Sequence, residues 1–123
     1  FENGTISNGH DLTLEVTDPQ RRYLVERGYE GKEVIFGIRP EDIQSEQIFL
    51  DSYPKSVVRS EVVVSELLGA ETMLYSKVGD TEFIARVDAR DYHNPGETVE
   101  LGFNMNKAHF FDPETELVIR DQA

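Results

Sequence analysis

Turn signals interrupt this sequence roughly every 8–12 residues, the spacing of a β-sandwich or barrel and too tight for long helices. Asn3-Gly4 and Asn8-Gly9 mark turns near the start, Gly79-Asp80 suits a tight hairpin, and Asn94-Pro95-Gly96 marks another reversal. Between them the apolar residues alternate as in half-buried strands. In "DLTLEVT", Leu12, Leu14 and Val16 share one side while Thr13 and Glu15 share the other. "VVRSEVVVSELL", Val57–Leu68, reads as one long β-branched strand. Thr72–Val78 and Glu82–Val87 form the arms of the Gly79-Asp80 hairpin, and Thr98–Phe103 alternates Val99, Leu101 and Phe103. Further strands are expected over Glu33–Ile38, near Phe110 and over Leu117–Ile119. The first ten residues read as polar turns, and the pattern weakens across "SEQIFLDSYPKS".

One short helix is expected in "DPQRRYLVERG". Asp18 can cap it, Pro19 fits its first position, and Gly28 can stop it. The stretch "GIRPEDI", Gly37 to Ile43, raises a different question. Pro40 lacks a ladder donor and biases Arg39 toward extended geometry, so the strand that begins near Glu33 must end there. Glu41 and Asp42 then fall in the first turn of a short helix, where carboxylates meet free N–H groups. Arg39 has two leading readings, with catalysis a distant third because arginine is a poor base and no nucleophile accompanies it. Buried and paired with an acid, it would clamp a barrel corner, and its removal would cost on the order of 3–5 kcal/mol. Exposed, it would contact a partner, and its removal would cost about 0–1 kcal/mol.

Composition removes several function classes. The chain of 123 residues carries 12 Lys+Arg against 24 Asp+Glu, a formal charge of −12. Nucleic acid and anionic lipid both select clustered cations, so this balance disfavours them as partners. Cysteine is absent, which removes disulfides and thiolate metal sites. Gly31-Lys32 is followed by Glu33 and lacks the glycine spacing of a P-loop. His10, His93 and His109 are widely spaced, and Asp88, Asp91 and His93 in "DARDYH" read as a loop of solvated acids. Ser65 and Ser76 lie in strand patterns without a nucleophile elbow. These features leave a mostly-β domain for binding or assembly, with no catalytic, cofactor or metal residues assigned.

Three segments together resemble one family: "VIFGIRPEDI", "VSELLGAETMLYSKVGDTEFIARV" and "ARVDARDYHNPGETVELGFNMNKAHFFD". The chain resembles the C-terminal regulatory region, the transport-associated OB (TOBE) domain, of ATP-binding subunits in sugar-importing ABC transporters of the maltose and multiple-sugar type. The resemblance implies an all-β fold with one or two short helices, built as an OB-fold-like β-barrel. It implies that residues 1–123 are a single regulatory domain belonging to a larger ATPase subunit. ATP and Mg would be held by the nucleotide-binding domain, so this part would have no cofactor and no turnover. The implied partners are its own nucleotide-binding domain, a second copy of the subunit in a homodimer, the transporter membrane subunits, and a phosphotransferase-system regulator. The implied location is the cytoplasmic face of the cell membrane, peripheral through the complex.

On that resemblance the interface candidates are Arg39 and Glu41, together with Gly102, Phe103, His109, Phe110 and Phe111 from "LGFNMNKAHFF". The same phenylalanines suit a barrel core, and Gly102 allows another backbone to approach. The family often places Pro and Glu where Asn104–Lys107 stand, so that loop is expected to differ. Two further readings stay open: an OB domain sensing an oxyanion or sugar, and an oligonucleotide-binding OB module. The latter would stack bases on Tyr75 and Phe83 between Lys77 and Arg86.

Overall fold

The β-branched run Val57–Leu68 is a single strand of 12 residues, and the larger sheet is assembled around it. The computed structural model describes residues 1–9 and 11–120. Along the chain the elements are β1 (Thr5–Ser7), β2 (Thr13–Glu15), α1 (Asp18–Glu26), β3 (Ile35–Gly37), β4 (Ile43–Gln44), α2 (Gln47–Ser52), β5 (Val57–Leu68), β6 (Glu71–Val78), β7 (Thr81–Asp88), β8 (Thr98–Phe103), β9 (His109–Phe111) and β10 (Val118–Ile119). They divide into two compact units. The first holds Phe1–Ile38 and the chain from Met105 onward; the second holds Arg39–Asn104. The fold is all-β with two short helices, as the sequence implied.

In the second unit the strand order is β4-β8-β5-β6-β7, and every pairing is antiparallel. The edge strands β4 and β7 meet, so the sheet curls into a nearly closed barrel. Alternation sends Val58, Ser60 and Val62 inward from β5, and Thr72, Leu74 and Ser76 inward from β6. Small residues Ser60, Ser76 and Ala85 are buried in this unit, as is Phe103, which meets Phe83 edge-on at 5.1 Å. A β-bulge between Val62 and Val64 leaves Val63 without a partner on β6. α2 lies over β8 at Gly102, where an added Cβ would stand 2.7 Å from Phe49 Cδ1 and Cε1 and 2.9 Å from Leu50 Cδ2.

In the first unit β1 pairs with β2, and a separate three-stranded antiparallel sheet has the order β10-β9-β3. The row Ile119, Phe110, Phe36 follows from the register. Phe110 is fully buried in it, 5.8 Å from the Phe36 ring. Burying a side chain of that size contributes about 1.5–3 kcal/mol. α1 adds Leu24 to the core. Its N-cap is Thr17, one residue before the Asp18 expected from sequence. Thr17 Oγ1 accepts from Gln20 N at 3.3 Å, and Gln20 Oε1 accepts from Thr17 N at 3.0 Å, a reciprocal capping box. Gln20 is thereby fixed so that its Nε2 donates to the Met105 carbonyl at 2.5 Å. With Thr17 as the cap, Pro19 is the second helical residue and not the first, still within the first turn, and Gly28 follows the helix with φ 85°.

Candidate interaction site

Arg39 stands at the start of the second unit with φ −82° and ψ 149°, the extended geometry that the following proline imposes. Pro40–Asp42 is a single 3₁₀ turn, closed by Asp42 N donating to the Arg39 carbonyl at 2.9 Å. Arg39 is exposed, and among the described residues it takes part in no ion pair. The buried clamp is therefore not what the structure holds; the guanidinium faces solvent because the turn ends the strand before it can pack. Glu41 is also exposed.

Glu41 lines a concavity of the second unit together with Glu46, Glu71, Asp88 and Asp91. Arg86 is its one base, and Arg86 Nε already lies 4.0 Å from Glu71. Asp91 accepts from Ser45 Oγ at 2.7 Å. The backbone N–H of Arg90, and then its guanidinium, hold the Asp88 carboxyl below its usual range. A rim of ionised carboxylates repels oxyanions, so this hollow gives the oxyanion-sensing reading no support. His93 Nδ1 is 3.4 Å from Glu97, whose carboxyl is lowered chiefly by the Asn94 N–H. The "DARDYH" side chains thus turn to separate neighbours. Among the described residues no three His, Asp or Glu groups converge as metal ligands, and His10 lies outside the described residues.

The hydroxyls weighed as nucleophiles are bound to backbone. Ser65 donates to the His93 carbonyl, and Ser76, buried, donates to the Leu74 carbonyl at 3.2 Å. The stacking pair is also divided. Phe83 packs against Phe103, while Tyr75 lies in the cross-strand row Val64, Tyr75, Ile84. Lys77 is 3.7 Å from Glu61, so both bases beside Tyr75 already face a carboxylate. A groove for single strands needs uncompensated cations, and this face does not supply them.

The "LGFNMNKAHFF" residues separate by burial. Gly102, Phe103 and Phe110 lie inside their own units and leave no surface for a partner to touch. His109 is exposed and Phe111 is half-buried. The register places Phe111 between Ile35 and Val118, on the side of the three-stranded sheet opposite Phe110. Ile35 is 44% exposed and Leu117, next to Val118, is 69% exposed, so this row is an apolar patch at the surface. Gly37 makes room for it: a Cβ there would meet Phe111 Cε2 at 3.2 Å. Beside the patch, Tyr29 Oη donates to Asp112 Oδ2 at 2.6 Å. That bond lowers the Asp112 carboxyl, with help from the Thr115 and Glu114 N–H groups, and raises the Tyr29 phenol. Sequence reasoning missed Ile35, Leu117 and Val118 as surface residues. All three sit in expected strands, but apolar identity alone does not say which side a short strand buries.

The comparisons with known proteins cover the chain in two overlapping stretches. A family profile described as the TOBE domain matches residues 36–111, and one described as the MalK OB fold domain matches residues 1–43. The chain is 56% identical over 125 residues to the multiple sugar-binding transport ATP-binding protein MsmK of Streptococcus mutans, covering 98% of this chain and 33% of that protein. It is 50% identical over 124 residues to the oligosaccharides import ATP-binding protein MsmX of Bacillus subtilis, covering 98% of this chain and 34% of that protein. The trehalose/maltose import ATP-binding protein MalK of Thermococcus litoralis is 35% identical over 115 residues, covering 93% of this chain and 31% of that protein. The chain therefore spans about a third of the length of the curated relatives it matches.

Proposed function

From the premise that this chain belongs to the TOBE domain family, we propose that it is the non-catalytic regulatory and dimerisation part of an ATP-binding subunit in an ABC-type sugar import system. The observation that carries this reading is similarity along 98% of the chain to a sugar transport ATP-binding protein at 56% identity. The surfaces agree with it. The Ser65 and Ser76 hydroxyls are bound to backbone carbonyls, Asp88 is engaged by the Arg90 N–H and guanidinium, and the exposed features include an apolar sheet face and a charged turn.

In this reading the parent subunit couples ATP hydrolysis to sugar uptake, with ATP and Mg held outside this chain. Phe111 and His109, with Ile35 and Leu117 around them, contact a second copy or a regulatory protein of the phosphotransferase type. Arg39 and Glu41 contact the nucleotide-binding domain. Through the parent the chain sits on the cytoplasmic face of the membrane beside the transporter's membrane subunits. Among the described residues no helix is long and apolar enough to cross a membrane, which fits a peripheral place in such a complex.

Sedimentation velocity across a concentration series tests the proposal, with and without the separately produced nucleotide-binding domain of the parent. A reversible dimer, or a complex with that domain weakened by Phe111→Asp and Arg39→Glu, is the expected result. A strict monomer at every concentration with no affinity for that domain would sink the reading. ATP turnover by this chain alone would sink its non-catalytic part.

A further inference from the structure

The first unit contains two Asn-Gly pairs, and the structure holds them differently. In such a pair the glycine nitrogen can attack the preceding side-chain amide, because no side chain obstructs its approach. At Asn8-Gly9 both reacting groups are occupied. Asn8 Nδ2 donates to Asp11 Oδ1 at 2.5 Å, and Asn8 Oδ1 accepts from the N–H groups of Asp11 and Leu12 at 3.1 and 3.0 Å. The would-be nucleophile, Gly9 N–H, donates to Ser7 Oγ at 2.9 Å.

At Asn3-Gly4 neither group is held. Asn3 is exposed and Gly4 is buried beneath the Arg21 side chain; among the described residues no hydrogen bond engages the Asn3 side chain or the Gly4 N–H. The two residues have φ 51° and 78° and form the two-residue turn that closes the Glu2–Thr5 bridge. The Arg21 guanidinium lies over Gly4, with Nη1 3.5 Å from where a Cβ would stand. Its positive charge favours the deprotonated amide nitrogen from which attack begins.

We infer that Asn3 is a site of spontaneous covalent modification, selected over Asn8 by the fold. Gly4 N gives its proton to a hydroxide drawn in past the Arg21 guanidinium that covers it, and bonds to Asn3 Cγ. The Cγ–Nδ2 bond breaks, and the nitrogen leaves as ammonia after taking a proton from water. The resulting succinimide then takes up one water. Opening at the Cγ–N bond yields aspartate; opening at the backbone carbonyl yields isoaspartate, with the chain running through Cγ. Either product adds a negative charge where Asn3 N already donates to Glu30 Oε2 at 3.0 Å. The isoaspartate product also adds a methylene to a turn whose hydrogen-bonded bridge fits two residues of standard backbone.

The test is peptide mapping by mass spectrometry after holding the folded chain at mildly alkaline pH, alongside a sample in denaturing urea. In the folded chain Asn3 should lose ammonia several-fold faster than Asn8, and in urea the two rates should converge. Ser7→Ala with Asp11→Ala should raise the Asn8 rate in the folded chain, and Asn3→Gln should remove the faster product. Equal or faster reaction at Asn8 in the folded wild-type chain would overturn the inference, as would no reaction at Asn3 while the urea sample reacts. If the double variant does not fold, the wild-type comparison still decides.

Discussion

Replacing Gly102 with alanine should destabilise the second unit through a contact that can be measured in advance. The new Cβ would lie 2.7 Å from two Phe49 ring carbons and 2.9 Å from Leu50 Cδ2. Non-bonded carbons prefer about 3.5–4.0 Å, so α2 must move away by about 1 Å. Leu50 is buried and cannot swing aside into solvent, and the Phe49 ring lies 4.9 Å from Tyr53. Overpacking of this kind costs about 1–3 kcal/mol. The chain has no tryptophan, so urea unfolding is followed by tyrosine fluorescence and circular dichroism. The cost should be independent of protein concentration, because Gly102 touches its own chain and no partner is needed to explain the glycine. Phe49→Ala supplies the decisive control. It removes the obstructing ring, so Gly102→Ala should cost less in that background, with a coupling of about 0.5–3 kcal/mol. A Gly102→Ala variant within about 0.5 kcal/mol of wild type, or an equal cost with and without Phe49, would refute the reasoning.

Other outcomes follow from the same structure. Thr72 is fully buried and its Oγ1 has no hydrogen-bond partner among the described residues, so Thr72→Val should raise stability by about 1 kcal/mol, read as a higher urea midpoint. Arg39→Ala should change stability by only about 0–1 kcal/mol, because the side chain is exposed and unpaired, whereas the proposed contact with the nucleotide-binding domain should weaken. The Tyr29–Asp112 bond should limit stability at both ends of the pH scale. Asp112 is lowered in the folded chain, so its stabilisation is present above the ordinary aspartate pKa of about 3.9 and lost as pH falls through the folded value. Tyr29 is raised, so its contribution is present below the ordinary tyrosine pKa of about 10 and lost as pH rises through the folded value. Tyr29→Phe should flatten the alkaline edge of a stability-against-pH curve and reduce the acid one; unchanged edges would contradict the assignment.

The long elements were legible because their signals are local and repeated. β5 and β8 run over the residues expected, and β6 and β7 differ by a residue at one or both ends. Short elements were legible only in part: β2, β3, β9 and β10 fall within expected strands, while β1, β4 and α2 were missed. β1 has 3 residues and β4 has 2, too few to show a period, and both exist through their pairings with β2 and β8. α2 was hidden because its Ile48 is 82% exposed while Leu50 is buried, which is no helical stripe over six residues. Its place is set by the hollow at Gly102, a tertiary fact. The division at Ile38 and Arg39 fell inside the motif that the sequence reading singled out, and Pro40 explains the end of β3 without announcing that a second unit starts there. For the candidate interface, sequence supplied the stretch but not the sides. Burial separated Phe110 from Phe111, adjacent residues facing opposite ways on one strand.

Val63 gives β5 a spare link. Upstream of it the even-numbered positions face the barrel interior; downstream, the pairings of Ser65 with Leu74 and Leu67 with Thr72 hand that side to the odd-numbered ones. Losing that one residue would restore uninterrupted alternation and leave both flanks as they are, whereas a one-residue loss at Ser60 or Glu66 would reverse every side chain between the gap and the next hairpin. Length variation along this strand is therefore expected to concentrate at a single position.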